Sequence, residues 1–452
     1  MNLSSSVPDY IKAILDLVNS AGFEAFVVGG AVRDLVTGRV PHDFDIASSA
    51  SPNELMKILK SRDIPYVDMA KKHGTITAIT SGGNVEITTF RSDGDYLDAR
   101  HPSDVTFTRN IDEDVIRRDF TMNSLYLSSD GEICDLTGGL EDIEEHKIKA
   151  VGDPKLRFDE DALRILRGIR FEAMLGFDIE DKTRLAMDSK ADKLKLISAE
   201  RVQTEFIHLL RCPFASKAIR DNLDILSLII PELKEMAGFD QKSRYHDLDM
   251  LEHTLKVLDG IPLEEGGLRD GELAVAALLH DTGKPASFVL DKNGLGHMKG
   301  HPRISREITS RVLTSLKCSK AFISDVEGLV ELHDTFVPLT FPDVHRFMSE
   351  HSGEFLARLA VLQRADINAH SEYGLRRMAK LDGRIEIEQE LRAQGAAFKI
   401  TDLKIRGEDL IRLGCTPGPR IGSVLGKIFE MHINGDVPNE RGALLALARD
   451  LL

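Results

Sequence analysis

Two aspartates separated by one residue are the most chemically suggestive feature of the sequence. Asp43 and Asp45 flank Phe44 in the run HDFDIA, which has the composition of a short β-strand. In a strand, residues two apart project from the same face, so the two carboxylates are expected to converge. Paired carboxylates bind hard divalent cations such as Mg²⁺. The alternative is an ordinary polar strand edge, because Asp-x-Asp is a common tripeptide.

The residues that precede this pair favour the metal site. Gly29 and Gly30 end an apolar run, and Arg33 follows in the first turn of a predicted helix. Glycines let the backbone approach a phosphate, the amides at a helix start can bind it, and Arg33 adds a positive charge. The combination resembles the signature of the DNA-polymerase-β-like nucleotidyltransferases. The resemblance implies that the carboxylates hold metal ions between a triphosphate and an attacking hydroxyl.

Two later runs contain candidate nucleotide-binding side chains. In RRDFTMN, Arg118 and Asn123 are expected to contact a triphosphate or sugar. In EDALRILRGIRF, the spacing of Asp161, Arg164 and Arg167 predicts one shared helix face. A carboxylate that accepts from an exocyclic amine, beside an arginine that donates to a ring atom, can recognise the pairing edges of cytosine and adenine. The alternative is a solvated, charged surface stripe.

Histidines and aspartates recur in a later, helical part of the chain. His280 and Asp281 are adjacent at the end of an apolar helix, and further members lie on flanking segments. The set resembles the ligands of HD-domain metallophosphohydrolases. The resemblance implies two sites, one built from His253, His280, Asp281 and Asp366 and a second completed by His301 and His333. Such ligands suit Mn, Fe, Ni, Co or Zn. The alternative is a helical body with buried histidines and no metal.

The composition is that of a globular protein with several domains. A chain of 452 residues is too long for a single domain with one ordinary hydrophobic core, and 42% of its residues are hydrophobic. No apolar run approaches the roughly 20 residues of a membrane helix, and the N-terminus does not read as a signal peptide. Four cysteines without a CxxC pair predict free thiols and a cytoplasmic location. The net charge of −15 argues weakly against nucleic-acid binding, although a local basic track can still bind phosphates.

Hydrophobic periodicity predicts an α+β protein. Strand patterns occur mainly in the first 150 residues, with three strands between Tyr66 and Phe90 and a hairpin around Asp130-Gly131. Helical patterns fill the rest. We expect a polymerase-β-like head with a mixed sheet, followed by an all-helical neck, an HD-type body and a tail. The expected ranges are 1–150, 151–225, 226–375 and 376–452 respectively.

Five motifs in order resemble those of class II tRNA nucleotidyltransferases, the family of CCA-adding enzymes and poly(A) polymerases. They are GGAVRD, HDFDIA, RRDFTMN, EDALRILRGIRF and SAERVQTE, and the C-terminal tail resembles that family's tRNA-binding tail. The resemblance implies that Mg²⁺ is bound by Asp43 and Asp45, with Glu86 as a third carboxylate. It also implies that the nucleotide is bound by Gly30, Arg33, Arg118, Asn123, Asp161, Arg164, Arg167 and Arg170.

The implied activity is template-independent addition of CCA to the 3′ end of tRNA from CTP and ATP, with no membrane partner. An accessory HD phosphohydrolase activity is also implied. The polar segment 92–104 resembles the loop of CCA-type enzymes and is expected to help switch the site from CTP to ATP. Three alternatives stay open: an enzyme that adds only A, a bacterial poly(A) polymerase, or an HD metallophosphohydrolase with an RNA-binding head.

Overall fold

The computed structural model describes residues 2–93 and 105–452, and the chain divides into two compact units, Met1–Ile229 and Ile230–Leu452. The predicted α+β class is confirmed, with a mixed sheet in the first unit and helices in the second. Most of the segment 92–104 lies outside the described residues, so the expectation for it stays a prediction. The finer division into four domains also stays a prediction.

Strands of the first unit form a seven-stranded mixed sheet and two smaller pairs. They are β1 (Ala25–Val28), β2 (Asp45–Ser48), β3 (Tyr66–Val67), β4 (Thr75–Thr80), β5 (Gly83–Thr89), β6 (Arg91–Asp93), β7 (Val105–Phe107), β8 (Leu125–Leu127), β9 (Ile133–Asp135), β10 (Lys147–Ile148) and β11 (Asp178–Ile179). The sheet order is β3-β4-β5-β2-β1-β8-β9, in which β2 and β5 run parallel and the other neighbours antiparallel. The three strands between Tyr66 and Phe90 and the hairpin around Asp130-Gly131 are confirmed.

Helices of the first unit cover the sheet and continue beyond it. They are α1 (Asp9–Ser20), α2 (Gly30–Val36), α3 (Pro52–Lys60), α4 (Ile111–Ile116), α5 (Gly139–Glu144), α6 (Pro154–Glu160), α7 (Leu163–Leu175), α8 (Asp181–Lys190), α9 (Ala199–Arg211), α10 (Ala215–Asp221) and α11 (Leu223–Leu226). Local sequence explains their limits: α3 begins with a capping box between Ser51 and Glu54, and α7 ends at Gly176 in the left-handed region. α7 packs against α9 and α10.

The second unit is helical, apart from a short ribbon of β12 (Val289–Leu290) and β13 (Gly296–His297). Its helices are α12 (Glu232–Met236), α13 (Met250–Asp259), α14 (Gly271–Leu279), α15 (Lys284–Ser287), α16 (His301–Ser315), α17 (Lys320–Leu332), α18 (Phe341–Glu350), α19 (Gly353–Ala369), α20 (Met378–Ala393), α21 (Gly407–Arg412), α22 (Pro419–Ile433) and α23 (Arg441–Leu451). α14 is buried on all sides because α13, α17 and α19 surround it. None of the described helices combines the length and apolarity that crossing a bilayer requires.

Candidate functional site

Three carboxylates meet at one end of the parallel strand pair in the first unit. The register pairs Ile46 of β2 with Ile87 of β5, so Asp45 and Glu86, each one residue earlier, lie side by side. The expectation that Asp43 belongs to this strand is wrong, because β2 begins at Asp45. Asp43 lies two residues before the start of the strand, and its charge still acts on Asp45. All three residues keep solvent-exposed surface, so a ligand can reach them, although surrounding protein partly desolvates the Asp45 carboxyl.

The pKa of the Asp45 carboxyl reflects the convergence of the three carboxylates. Loss of hydration within the surrounding protein, followed by the charges of Asp43 and Glu86, raises the pKa of Asp45 to about 6. The nearby Arg118 guanidinium opposes the rise. Clustered carboxylates that repel one another are well suited to a divalent cation, which removes the repulsion. The residues present at this edge of the sheet therefore fit Mg²⁺.

Arg33 lies ten residues before Asp43 in the sequence, and its guanidinium has hydrogen-bond partners on two sides. Gly29 adopts a φ of 75°, which glycine tolerates, and α2 starts at Gly30. A Cβ atom at Gly30 would lie 3.3 Å from a terminal nitrogen of Arg33, so the glycine leaves room for the guanidinium. Arg33 is buried, and its Nη1 donates to Asn123 Oδ1 over 2.8 Å. Its other nitrogens donate to Asp34.

Three arginine side chains lie against the ring of Phe171 on α7. The guanidinium carbons of Arg33, Arg167 and Arg170 lie 5.3, 5.5 and 4.4 Å from its centroid. Arg167 also donates to Asp119 over 2.6 and 2.9 Å. Burial alone would raise the pKa of Asp119, but the charge and hydrogen bonds of Arg167, the Phe120 amide and the charge of Arg164 together lower that pKa to about 2. The structure thus brings three of the expected nucleotide-binding arginines onto one ring.

Arg118 is held from two directions. Its Nε donates to the Tyr126 hydroxyl over 2.9 Å and its Nη2 to Asp114 over 2.9 Å. Its guanidinium carbon lies 4.8 Å from the centre of the Tyr126 ring. Because its charge also acts on Asp45, the guanidinium lies near the carboxylates as well. Arg118 is therefore placed to bridge the carboxylates and a bound anion.

Asp161 departs from the expected geometry. It lies between α6 and α7 with an extended backbone (φ −144°, ψ 102°), so the prediction that it shares a helix face with Arg164 and Arg167 is wrong. Its carboxylate accepts from the Leu163 amide over 3.0 Å, which favours a helix start at this position over a continuous helix. Arg201 of α9 donates to the same carboxylate over 2.7 Å.

Arg164 does lie on α7, and its guanidinium is engaged by neighbouring segments. Its Nη1 donates to Glu160 over 2.6 Å and its Nη2 to the carbonyl of Arg117 over 2.8 Å. The contact with Arg117 ties α7 to the RRDFTMN run. Arg164 thereby joins two of the motifs that were predicted to share a nucleotide site.

In the second unit, the predicted histidines and aspartates converge around Asp281. Its Oδ2 lies 3.2 Å from His280 Nε2 and 3.6 Å from His253 Nε2. Its Oδ1 lies 3.3 Å from His301 Nε2 and 3.6 Å from His333 Nε2. Asp366 completes the first group, with Oδ1 3.1 Å from His253 Nε2. All of these side chains are buried, so Asp281 is placed to bridge two adjacent metal positions.

The imidazole rings are oriented as metal ligands require. Nδ1 of His280, His301 and His333 donates to the carbonyls of Ala277, Met298 and Val330 over 2.8, 2.9 and 2.7 Å. A carbonyl only accepts, so each Nδ1 carries a proton, and each Nε2 is directed towards Asp281. His280 Nε2 and Asp281 Oδ1 make no hydrogen bond to any described residue despite their burial. Such orphaned atoms fit a transition metal.

A basic cavity of about 750 Å³ opens onto this group. Its walls include Arg244, Lys284, Lys299, Arg377 and Lys380, so the approach to the buried carboxylates is positively charged. Lys284 is buried, with Nζ 2.6 Å from Asp281 Oδ2. A cavity with these walls is suited to an anionic ligand.

Comparison with known proteins identifies the family. A family model described as "Poly A polymerase head domain" matches residues 25–149, and one described as "Probable RNA and SrmB- binding site of polymerase A" matches 176–236. A model of tRNA nucleotidyltransferase domain 2 matches 302–448. A CCA-adding enzyme of Streptococcus agalactiae is 32% identical over 457 residues, which cover 100% of each chain. A CCA-adding enzyme of Streptococcus thermophilus is 34% identical over 459 residues, covering 99% of each. The chain belongs to the class II tRNA nucleotidyltransferases.

A solved relative agrees with this assignment. The crystal structure of the Bacillus stearothermophilus CCA-adding enzyme in complex with CTP matches with a TM-score of 0.69 and 26% identity. The match covers 98% of this chain and 96% of that chain. The chain is thus a nucleotidyltransferase whose relatives span its full length.

Several residues of the nucleotidyltransferase were not among the predicted site residues, although they contact those residues in the structure. In the first unit they are Asp114, Asp119, Phe171, Arg201 and Glu205, whose carboxylate accepts from Arg170. In the second unit they are His246 and His370, whose rings pack against His253, and Lys284. Helical spacing could have identified two of them. His370 follows Asp366 by four residues and Lys284 follows Asp281 by three, which are the spacings of neighbours on one helix face.

Proposed function

We propose that this enzyme adds CCA to the 3′ end of tRNA from CTP and ATP. The observation that carries the proposal is the convergence of Asp43, Asp45 and Glu86 within the electrostatic reach of Arg118. The end-to-end similarity to CCA-adding enzymes supports it. Carboxylates that hold cations beside arginines that bind phosphates are the parts that nucleotidyl transfer needs.

In the proposed reaction, separate residues bind the metal and the triphosphate. Asp43, Asp45 and Glu86 hold Mg²⁺, which when bound neutralises triphosphate charge and favours ionisation of a nearby hydroxyl. Arg33 and Arg118 bind the triphosphate, and Gly30 leaves the space that Arg33 occupies. The 3′-hydroxyl of the tRNA gives up its proton to solvent, its oxygen bonds to the α-phosphorus in line, and the bond from that phosphorus to the β-phosphate oxygen breaks to release pyrophosphate.

Base selection is assigned to the start of α7. Asp161 accepts from the exocyclic amine that cytosine and adenine share, and Arg164 donates to the adjacent ring nitrogen. Arg167 and Arg170, against Phe171, provide positive charge to the same site. Uracil and guanine present a carbonyl where the amine should be, which sets oxygen against oxygen at Asp161.

Extension of defined tRNAs tests this proposal. The substrates are three forms of one tRNA, ending at the discriminator nucleotide N, at NC and at NCC, each incubated with labelled CTP or ATP. CCA addition predicts CTP incorporation on the first two and ATP incorporation on the third. ATP incorporation on NCC alone indicates an enzyme that adds only A. Long adenylate tails on all three indicate a poly(A) polymerase.

We also propose that the second unit holds a pair of transition-metal ions and hydrolyses a phosphoester. Asp281 carries this proposal, because its two oxygens face separate histidine pairs and can bridge two metals. Lys284 and the basic cavity are available for the anionic part of a substrate. Metal analysis of the purified protein tests the metal pair. Absence of bound metal after growth with Mn and Ni would refute it and would support the alternative, a helical body with buried histidines and no metal.

A further inference from the structure

Asp114 is a buried carboxylate at which several segments of the first unit meet. It is 0% exposed, lies on α4, and accepts from Arg117, from Arg118 Nη2 over 2.9 Å and from the Tyr126 hydroxyl over 2.8 Å. The backbone amide of Arg91 also donates to it over 3.3 Å. One side chain therefore joins α4, strand β8 and the start of strand β6.

These contacts determine where the guanidinium of Arg118 lies. Asp114 holds Nη2, the Tyr126 hydroxyl holds Nε, and the Tyr126 ring lies against the guanidinium carbon. Nη1 makes no hydrogen bond to any of the described residues. A guanidinium fixed along one edge keeps its remaining donors directed at a ligand, which reduces the entropy lost on binding.

The charges around Asp114 favour anion binding. Two guanidinium groups, those of Arg117 and Arg118, share the single Asp114 carboxylate, so this group retains a net positive charge. The charge of Arg118 also reaches Asp45, one of the proposed Mg²⁺ ligands. The positive charge of Arg118 therefore acts at the edge of the sheet where the proposed Mg²⁺ ligands lie.

We propose that Asp114 is a positioning residue that holds Arg118 in the orientation needed to bind the triphosphate of CTP and ATP. The proposal rests on the nucleotidyl-transfer function proposed above. Asp114 itself does not contact the nucleotide and acts through Arg118. Its effect should therefore appear in nucleotide binding and should depend on the presence of Arg118.

Steady-state kinetics of the full-length Asp114→Asn variant tests the proposal. An amide offers one acceptor oxygen in place of two and presents N–H groups to the arginines, so the KM for CTP and for ATP should rise about tenfold or more. The KM for tRNA should not change. The milder Tyr126→Phe variant keeps the ring and loses the hydroxyl, and it should show a smaller rise in the same two constants.

A double variant separates positioning from a general structural effect. If Asp114 acts through Arg118, Asp114→Asn combined with Arg118→Ala should bind nucleotide no more weakly than Arg118→Ala alone. Glu172→Gln is the matched control, because Glu172 is also fully buried among cationic partners. It should lower Tm while leaving both nucleotide KM values unchanged.

Two results would overturn the proposal: an unchanged nucleotide KM in folded Asp114→Asn and Tyr126→Phe, or a double variant about tenfold worse than Arg118→Ala. Equilibrium binding of Mg-CTP, measured in parallel, distinguishes failure of the role proposed for Asp114 from failure of the proposed function. A wild-type enzyme that extends no tRNA refutes CCA addition. In that case, equal CTP affinity of the wild type and Asp114→Asn would still overturn the role of Asp114.

Discussion

The guanidinium of Arg201 lies 2.7 Å from Asp161 Oδ2, so the carboxylate assigned to base selection already has a charged partner. Asp161 Oδ1 is engaged twice, by the Leu163 amide over 3.0 Å and by Arg201 Nη1 over 3.3 Å. A carboxylate oxygen has two lone pairs, so Oδ2, which accepts from one donor among the described residues, can still accept from a base amine. Arg201 and Leu163 thus fix the direction in which Asp161 presents the free lone pair of Oδ2.

The first prediction concerns Asp161→Asn. Its amide can rotate to donate to a carbonyl, so the variant should lose selectivity for CTP and ATP and gain UTP or GTP incorporation, by a factor of about ten or more. Single-nucleotide incorporation with each of the four triphosphates measures this effect. Unchanged selectivity would mean that another part of the enzyme sets specificity.

Asp159→Asn is the appropriate control for that experiment. Asp159 lies two residues away on α6 and pairs with Lys190 and Lys193. Glu172 of α7 is a less suitable control for this experiment, because it is 0% exposed and bound by Asn222 and Lys217. Changing it is therefore expected to affect stability.

A second prediction addresses the carboxylates. Asp43→Ala and Asp45→Ala should each lower transfer of both CTP and ATP by about a thousandfold or more, because the cation loses a ligand at the reacting phosphate. Binding of tRNA should remain, as measured by gel shift. Glu132→Gln, an exposed carboxylate in the turn between β8 and β9, should leave transfer unchanged. Near-normal transfer by either aspartate variant would refute the assignment.

Sequence patterns located the fold elements and failed where distant segments decide the geometry. The hairpin at Asp130-Gly131 is encoded within a few residues and was predictable. The pairing of β2 with β5, which brings Glu86 to Asp45, joins strands about forty residues apart and follows from the sheet as a whole. The break at Asp161 is likewise stabilised by Arg201, forty residues later. Local periodicity contains no information on such contacts.

The third prediction follows from the pKa of Asp45, which is raised to about 6. The folded protein favours the protonated form, so this group's contribution to folding stability is present at acid pH and is lost as pH rises through 6. Mg²⁺ requires the ionised form. The half-saturating Mg²⁺ concentration for transfer should therefore increase by up to about tenfold per pH unit below 6 and level off above it. A Mg²⁺ requirement that stays constant from pH 5 to 8 would contradict this prediction.

The final prediction uses the bridging position of Asp281 to count metal ions. His301 faces Oδ1 and belongs to one proposed site, whereas Asp281 serves both. We expect elemental analysis to find about two transition-metal ions per chain in the wild type, about one in His301→Ala and close to none in Asp281→Ala. His345→Gln is the control, because His345 is buried in the same unit but donates to the carbonyl of Ala397. It should retain both ions, and all variants should retain CCA addition, since the proposed transfer residues lie in the first unit. Equal losses in His301→Ala and Asp281→Ala would refute a bridged pair and indicate a single site to which both residues contribute.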